Sequence, residues 1–269
     1  MIPAAFEYYR ATSVDDASRQ LSQSGDVKVL AGGHSLIPLM RLRLTQPSML
    51  VDINGLAGDL GRIRRDNGTV RIGALTRHYQ IQQSTEVQRS LPLLAEVAGE
   101  VGDEQVRSMG TIGGVLAHAD PAGDYCTLAL MLDATINTNR RSIAARDFFK
   151  GVFTTPLATD ELIIDISFPV AAGPHRYEKF RRRMSDWAIV GAAAQRMEDG
   201  KWRIGITNAG PTAVRAQAVE QALASGASAS DAAKQAVQGL DPTSDLRGSA
   251  EYKRHLAQVL TQRAIEGAI

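Results

Sequence analysis

The sequence is poor in cysteine, in aromatic residues and in excess charge of either sign. Its 269 residues include one cysteine, Cys126, 5% aromatic residues and a formal net charge of +1 at pH 7. A single cysteine excludes an internal disulfide, a thiolate cluster and an iron–sulfur site held by this chain alone. The near-zero charge creates no global field that would attract nucleic acid or an anionic membrane.

Long apolar runs, targeting signals and metal-ligand spacings are also absent from the sequence. The longest largely apolar run, Cys126–Leu132, is far too short to span a bilayer. The segment Met1–Glu7 has no basic stretch followed by an apolar run, so no secretory signal is predicted. No two of the five histidines have the spacing of a metal site, so no metal is expected. We expect a protein of the cytoplasm or of the inner face of the membrane.

Two glycine-rich segments stand out against this background. The apolar run Val27–Leu30 is typical of a buried strand, and Gly32-Gly33 follows it, with Ser35 placed to cap a helix over Leu36–Leu44. The segment Gly110–Gly114 has the same character. Glycine permits a positive φ and a close approach to the backbone, and a helix N-terminus attracts anions. We interpret the two segments as halves of one phosphate or pyrophosphate site, although each alone is compatible with a simple tight turn.

The pattern of elements predicts an α+β fold in three units. Residues 1–57 predict a small α/β unit with a helix beginning at Ser13, and residues 58–170 a second unit with a hairpin at Asn67-Gly68. Residues 102–114 show no regular pattern and are expected to form a functional loop, and Thr76 is expected to cap a helix. Residues 171–269 predict an antiparallel sheet followed by alanine-rich helices.

Three polar or aromatic side chains outside the glycine segments are candidates for contact with a ligand. Asp124 precedes an apolar helix and either caps it or accepts hydrogen bonds from ligand hydroxyls. Lys179 belongs to a basic strand, and Trp187 follows in a polar loop, where it either screens a planar ring or packs in a core or interface. The common nucleotide fingerprints G-x-G-x-x-G after a strand and G-x-x-x-x-G-K-[ST] are missing.

These motifs together resemble those of a known family. The segments Ala31–Leu36, Val106–Gly114 and Ala117–Asp124 resemble the flavin signatures of the FAD-binding medium subunits of molybdenum hydroxylases, and of carbon monoxide dehydrogenase-type enzymes in particular. Tyr177–Lys179 with Asp186–Ala188, and the late segment 248–253, extend the resemblance over nearly the whole chain.

The resemblance implies two α/β FAD-binding subdomains of the PCMH type, a C-terminal sheet-and-helix domain and one non-covalent FAD. It also implies a small partner subunit with two [2Fe–2S] clusters and a large one with the molybdenum cofactor, in a dimer of heterotrimers. Electrons would pass through the clusters to the flavin and then to an external acceptor, so no catalytic side chain is expected here. The residues that the resemblance assigns to FAD are Ala31, Gly32, Gly33, His34, Ser35, Leu36, Thr111, Ile112, Gly113, Gly114, Ala117, Asp120, Asp124, Lys179 and Trp187.

One departure from the family pattern keeps two alternatives open. Val115 stands where the family often has a side chain that bonds phosphate, so only backbone donors are expected to act there. The alternatives are a stand-alone FAD oxidoreductase of the same fold and a scaffold subunit that has lost its flavin. The substrate, whether carbon monoxide, an aldehyde or an aromatic heterocycle, and the final electron acceptor are not encoded in this chain.

Overall fold

The computed structural model describes residues 2–268, which form three β-sheets and the helices packed on them. The strands are β1 (Glu7–Arg10), β2 (Val27–Leu30), β3 (Met49–Asp52), β4 (Ile63–Asp66), β5 (Thr69–Gly73), β6 (Thr135–Thr138), β7 (Ser142–Ala144), β8 (Ile163–Pro169), β9 (His175–Phe180), β10 (Val190–Arg196), β11 (Trp202–Thr207) and β12 (Val214–Arg215). The helices are α1 (Val14–Leu21), α2 (Leu36–Arg41), α3 (Ala57–Leu60), α4 (His78–Gln83), α5 (Thr85–Ser90), α6 (Pro92–Glu100), α7 (Glu104–Met109), α8 (Ile112–His118), α9 (Asp124–Met131), α10 (Ala145–Phe148), α11 (Gln217–Ala224), α12 (Ala229–Ala233) and α13 (Ala250–Gly267), and 3₁₀ turns occur at Asn54–Leu56 and Lys234–Val237.

The first sheet is parallel, with strand order β1-β3-β2. The predicted helix start is confirmed, because the Ser13 hydroxyl accepts a hydrogen bond from the Asp16 N–H at 3.0 Å. The carboxyl ends of β2 and β3 lie side by side, with Leu30 paired to Asp52. The first glycine pair therefore leaves the sheet at the carboxyl edge, where ligands bind in many α/β proteins.

The second sheet is antiparallel, with strand order β4-β5-β8-β6-β7. The predicted hairpin between β4 and β5 is confirmed, and its turn residues Asn67 and Gly68 have φ of 42° and 81°. Positive φ at both central residues matches the twist of the flanking strands. Helices α4 to α6 and α8 to α10 bury the largest hydrophobic cluster of the described residues against this sheet.

Residues 102–114 do not form the irregular loop that we expected. They contain α7 and the start of α8, each begun by a local side-chain cap. An Asp103 carboxylate oxygen accepts from the Val106 N–H at 2.9 Å, and the Thr111 hydroxyl accepts from the Gly114 N–H at 3.2 Å. The Thr111 cap offsets the low helix propensity of the glycine pair in α8, which is why the pattern alone was misleading.

Two predicted N-caps are wrong. Ser35 has helical dihedral angles, so its hydroxyl does not cap α2, and that helix ends at Arg41 rather than at residue 44. Thr76 is followed by Arg77, which is the N-cap residue of α4, and the buried Thr76 hydroxyl has no partner among residues 2–268. Within the described part of the chain, the Ser35 hydroxyl therefore caps no helix and can donate to or accept from a ligand.

The third sheet is antiparallel, with strand order β12-β11-β10-β9, as the sequence predicts. Its hairpin turns at Gly200, which has φ of 80°. Helices α11 to α13 cover one face, and on the other face Tyr177 and Ala193 join the central hydrophobic cluster. Helix α11 begins only at Gln217, because Val214 and Arg215 pair with β11. No helix within residues 2–268 is long and apolar enough to cross a membrane.

Candidate functional site

A cavity of about 580 Å³ brings both glycine segments together with the loop after β9. This volume lies within the usual range for ligand pockets. All but two of the residues that the resemblance assigned to FAD line it: Ala31, Gly32, Gly33, His34, Ser35, Leu36, Thr111, Gly113, Gly114, Ala117, Asp124, Lys179 and Trp187. Ile112 is instead fully buried in the central core, and an Asp120 carboxylate oxygen accepts from the Ala122 N–H at 2.8 Å.

The two glycine segments touch each other through their backbones. A Cβ atom built on Gly32 would lie 2.6 Å from the Met109 carbonyl oxygen and 2.8 Å from the Gly110 Cα. Real Cβ atoms do not approach other atoms so closely, so only glycine allows this contact. The segments therefore form one wall of the cavity, as the sequence interpretation required.

The first glycine segment carries the free backbone donors of the site. The backbone N–H groups of residues 32–36 donate to no acceptor among residues 2–268. Gly33 has a left-handed φ of 72°, Ser35 is helical, and both line the cavity. A ring nitrogen of His34, Nδ1, lies 2.9 Å from the Gly32 carbonyl oxygen, so this ring also fixes the loop. The segment thus offers unpaired backbone donors to an anion in the cavity.

The second glycine segment does not supply the backbone donors that we expected beside Val115. The N–H groups of Ile112 and Gly113 donate to the carbonyls of Thr76 and Ala74 at 3.2 and 2.9 Å, and the Val115 N–H donates to the Thr111 carbonyl at 3.1 Å. A Cβ on Gly113 would lie 2.6 Å from the Ala74 Cβ. The role of this segment is close packing, which lets helix α8 lie against the end of β5.

An arginine that the sequence reasoning missed ties the two glycine segments together. The Arg77 guanidinium donates to the Met109 carbonyl in the second segment and, at 2.6 Å, to the side-chain oxygen of Asn54. The Asn54 side-chain nitrogen donates to the Ala31 carbonyl at 2.9 Å in the first segment. Burial lowers the pKa of Arg77. No one-dimensional pattern signals this contact, because its members are far apart in sequence.

Asp124 is held by the C-terminal sheet rather than acting as a helix cap. Its carboxylate accepts from Lys179 Nζ at 2.7 Å and from the Tyr177 hydroxyl at 2.5 Å. The side chains of Asp124 and Lys179 are only 6% and 4% exposed. Lys179 also donates to the Glu100 carbonyl at 3.0 Å. Burial, reinforced by the Asp124 charge, raises the pKa of Tyr177, so its hydroxyl stays protonated and donating.

Two buried polar side chains in the cavity wall were also missed. His78 Nδ1 and the Tyr125 hydroxyl have no hydrogen-bond partner among residues 2–268, and their rings lie 5.2 Å apart. Burial lowers the pKa of His78 to about 3, so the imidazole is neutral at physiological pH.

No group of three or more His, Cys, Asp or Glu within the described chain is placed to hold a metal ion.

The residues of the cavity fit a dinucleotide with a diphosphate bridge. The free N–H groups of residues 32–36 suit the diphosphate, and the unused Ser35 hydroxyl adds a side-chain donor. The carboxylate of Asp124 has accepting capacity left for hydroxyl groups. Trp187, 44% exposed at the cavity, offers a face for a planar ring.

Two family models match this chain almost end to end. Residues 4–171 match the FAD binding domain in molybdopterin dehydrogenase, and residues 175–268 match the CO dehydrogenase flavoprotein C-terminal domain. The chain is therefore similar over both of its parts to proteins of one family.

Similar proteins of known activity agree with both models. The carbon monoxide dehydrogenase medium chain of Hydrogenophaga pseudoflava is 39% identical, with 100% of this chain and 98% of the relative covered. The 6-hydroxypseudooxynicotine dehydrogenase complex subunit alpha of Paenarthrobacter nicotinovorans is 38% identical, with 100% and 96% covered. A solved structure of carbon monoxide dehydrogenase from Hydrogenophaga pseudoflava superposes with a TM-score of 0.93 at 40% identity, covering 100% of this chain and 98% of the other. This chain belongs to the family of FAD-binding medium subunits of molybdenum hydroxylases, and is thus a flavoprotein subunit of a molybdenum-containing oxidoreductase.

Proposed function

We propose that this chain is the electron-transfer subunit of a molybdenum hydroxylase, which accepts electrons from the [2Fe–2S] clusters of a partner and delivers them to an external acceptor. The observation that carries the proposal is the joint cavity of the two glycine segments, with free N–H donors on one of them. FAD supplies the redox chemistry when bound, and the chain supplies its binding and electrostatics.

The first glycine segment has the main binding role in this proposal. Ala31–Leu36 hold the diphosphate through backbone N–H groups and the Ser35 hydroxyl. Thr111, Gly113 and Gly114 complete the same wall, and the N–H groups of Gly113 and Gly114 are engaged within the protein. Such a division explains how Val115 is accommodated, because its position is not a donor site.

The C-terminal part closes the other side of the site. Asp124 accepts hydrogen bonds from ribityl or ribose hydroxyls, while Tyr177 and Lys179 fix its orientation. Trp187 covers one face of the isoalloxazine ring and limits the access of water. The Lys179 ammonium also lines the cavity wall, where the Asp124 carboxylate balances its charge at 2.7 Å.

The chain requires partners to act in this way. We propose a small subunit with two [2Fe–2S] clusters and a large subunit with the molybdenum cofactor, assembled as a dimer of heterotrimers in the cytoplasm or at the inner face of the membrane. The division into units 1–57, 58–170 and 171–269 belongs to the same proposal, and the three sheets support it, since each lies within one of these units.

The proposal is tested by isolating the chain alone and in its native complex. We expect the full-length chain to contain one FAD, identified by acid release and chromatography, that dithionite reduces and air reoxidises. In the complex, whose co-purifying polypeptides identify the partners, the flavin absorbance should bleach when the substrate of the large subunit is added. The same substrate should not bleach the isolated chain.

Each alternative predicts a different result. Reduction of the isolated chain by that substrate would identify a stand-alone oxidoreductase. A complete complex without flavin would identify a scaffold subunit. Either result would contradict the proposed electron transfer.

A further inference from the structure

An aromatic side chain in an unusual backbone conformation lies at the cavity. Phe153 has φ of 53°, is 56% exposed and lines the same cavity as the glycine segments. A positive φ is rare for a bulky residue and costs free energy, so it persists only where the surrounding structure imposes it.

Backbone hydrogen bonds impose this conformation. The Phe153 N–H donates to the Ala119 carbonyl at 3.2 Å, and Ala119, at the end of α8, itself has φ of 50°. The Lys150 N–H donates to the Thr154 carbonyl at 3.0 Å, which closes the loop around Phe153. The ring is thus held in place at the surface, although burying it elsewhere would have gained hydrophobic free energy.

The Phe153 ring packs against the ring of His118. The two ring centroids are 4.9 Å apart and the planes are inclined by 33°. Burial lowers the pKa of His118, so the imidazole is uncharged near neutral pH and suits an uncharged aromatic ring. Both side chains line the cavity, and the described residues offer one other large, partly exposed aromatic side chain there, Trp187.

The position of the pair relative to the glycine segments matches the length of a nucleoside. Helix α8 carries Gly114 in its first turn and His118 at its last residue, about 6 Å apart along the axis. The diphosphate donors of residues 32–36 line the same cavity as His118 and Phe153, so a base joined to the diphosphate through a ribose can reach this pair. The proposed function assigns Trp187 to the isoalloxazine ring, which leaves the second ring system of FAD without an assigned partner.

We propose that Phe153, supported by His118, is the stacking platform for the adenine of FAD and makes the site select the dinucleotide over FMN. This proposal rests on the proposed function. It gives a physical reason for the exposed ring: a purine stacks on it and removes its face from water.

The test compares ligands with and without adenine. FAD, FMN and ADP are titrated separately into the flavin-free full-length chain, with flavin fluorescence quenching for the first two and calorimetry for ADP. Phe153→Ala should raise the Kd for FAD and for ADP about tenfold, the loss typical of one base–aromatic stack, and change the Kd for FMN less than twofold. Phe153→Tyr should bind all three ligands like the wild type.

Val152→Ala is the matched control, because Val152 is the exposed neighbour of Phe153 but does not line the cavity. It should leave all three dissociation constants unchanged. The thermal unfolding of each flavin-free variant shows whether the fold is retained. In Phe153→Ala the positive φ of the backbone at position 153 is as strained as in the wild type, so the substitution changes only the side chain.

Several outcomes would overturn the proposal. Equal weakening of FAD and FMN by Phe153→Ala would indicate a general effect on the site. Unchanged FAD and ADP binding together with loss of partner assembly would make Phe153 an interface residue. If the wild-type chain itself bound no FAD, the proposed function would fail, whereas a wild type that binds FAD without discrimination against FMN would refute only the adenine platform.

Discussion

Replacing Gly32 by alanine tests the contact on which the cofactor site depends. The new Cβ would lie 2.6 Å from the Met109 carbonyl oxygen, about 0.8 Å short of the 3.4 Å at which ordinary contact begins. The neighbouring Gly110 Cα and N atoms would be 2.8 and 3.2 Å away. All three are backbone atoms, so no side-chain rotation can relieve the clash and the two glycine segments must move apart.

The expected cost follows from the size of this displacement. Overpacking of this kind destabilises a protein by about 1–3 kcal/mol, which corresponds to a Tm lower by roughly 2–10 °C for a chain of this size. A diphosphate bound to the N–H groups of residues 32–36 would then lose the alignment of its donors. The loss of two hydrogen bonds to a charged group, at about 1.5 kcal/mol each, weakens FAD binding by about 100-fold.

The assay measures flavin binding and stability separately. The Kd for FAD is obtained from fluorescence quenching on the flavin-free chain, and the Tm is measured without flavin. Gly58→Ala is the control, because a Cβ at Gly58 meets nothing within 4 Å and should raise stability slightly. If Gly32→Ala bound FAD like the wild type and unfolded at the same temperature, the two segments would not meet as described.

Three further outcomes are expected. Lys179→Met should lower the free energy of unfolding, measured in urea, by about 3 kcal/mol, because it leaves the Asp124 carboxylate buried without its cation. Adding Asp124→Asn to the same chain should restore part of that loss. Equal losses in the single and double variants would contradict this coupling. Hydrogen bonds from Arg141 lower the pKa of Glu161 from 4.5 to about 2, so the stabilisation of the fold by this carboxylate is present above pH 4.5 and is lost as the pH falls towards 2. The difference in unfolding free energy between wild type and Glu161→Gln should shrink over that pH range. A constant difference would refute the assignment. Burial raises the pKa of the Cys126 thiol, so Ellman's reagent should detect no thiol in the folded chain and one thiol in denaturant. Rapid reaction in the folded chain would contradict this burial, because it would show that the thiol is accessible.

Much of the fold could be predicted from local patterns. The hairpin at Asn67-Gly68 follows from residues that accept positive φ, and the helix after Ser13 follows from a capping hydroxyl. Both signals lie within a few residues of the structure they determine. The segment 102–114 was mispredicted for the complementary reason: Gly113 and Gly114 argue against a helix on propensity, and the packing of Gly113 against Ala74 overrides that preference.

The sequence by itself determined that two glycine segments flank strand and helix ends, that the chain has no internal means of holding an iron–sulfur cluster, and that its C-terminal strands alternate into an antiparallel sheet. Only the tertiary structure decided which groups serve the site. In the folded chain, N–H groups of the second glycine segment donate to the Thr76 and Ala74 carbonyls. Arg77 connects the two glycine segments, and Lys179 forms an ion pair with Asp124. These contacts link residues tens of positions apart, and hydrogen bonds and ion pairs at such separations leave no periodic trace in the chain, because their geometry exists only once the sheets and helices have packed.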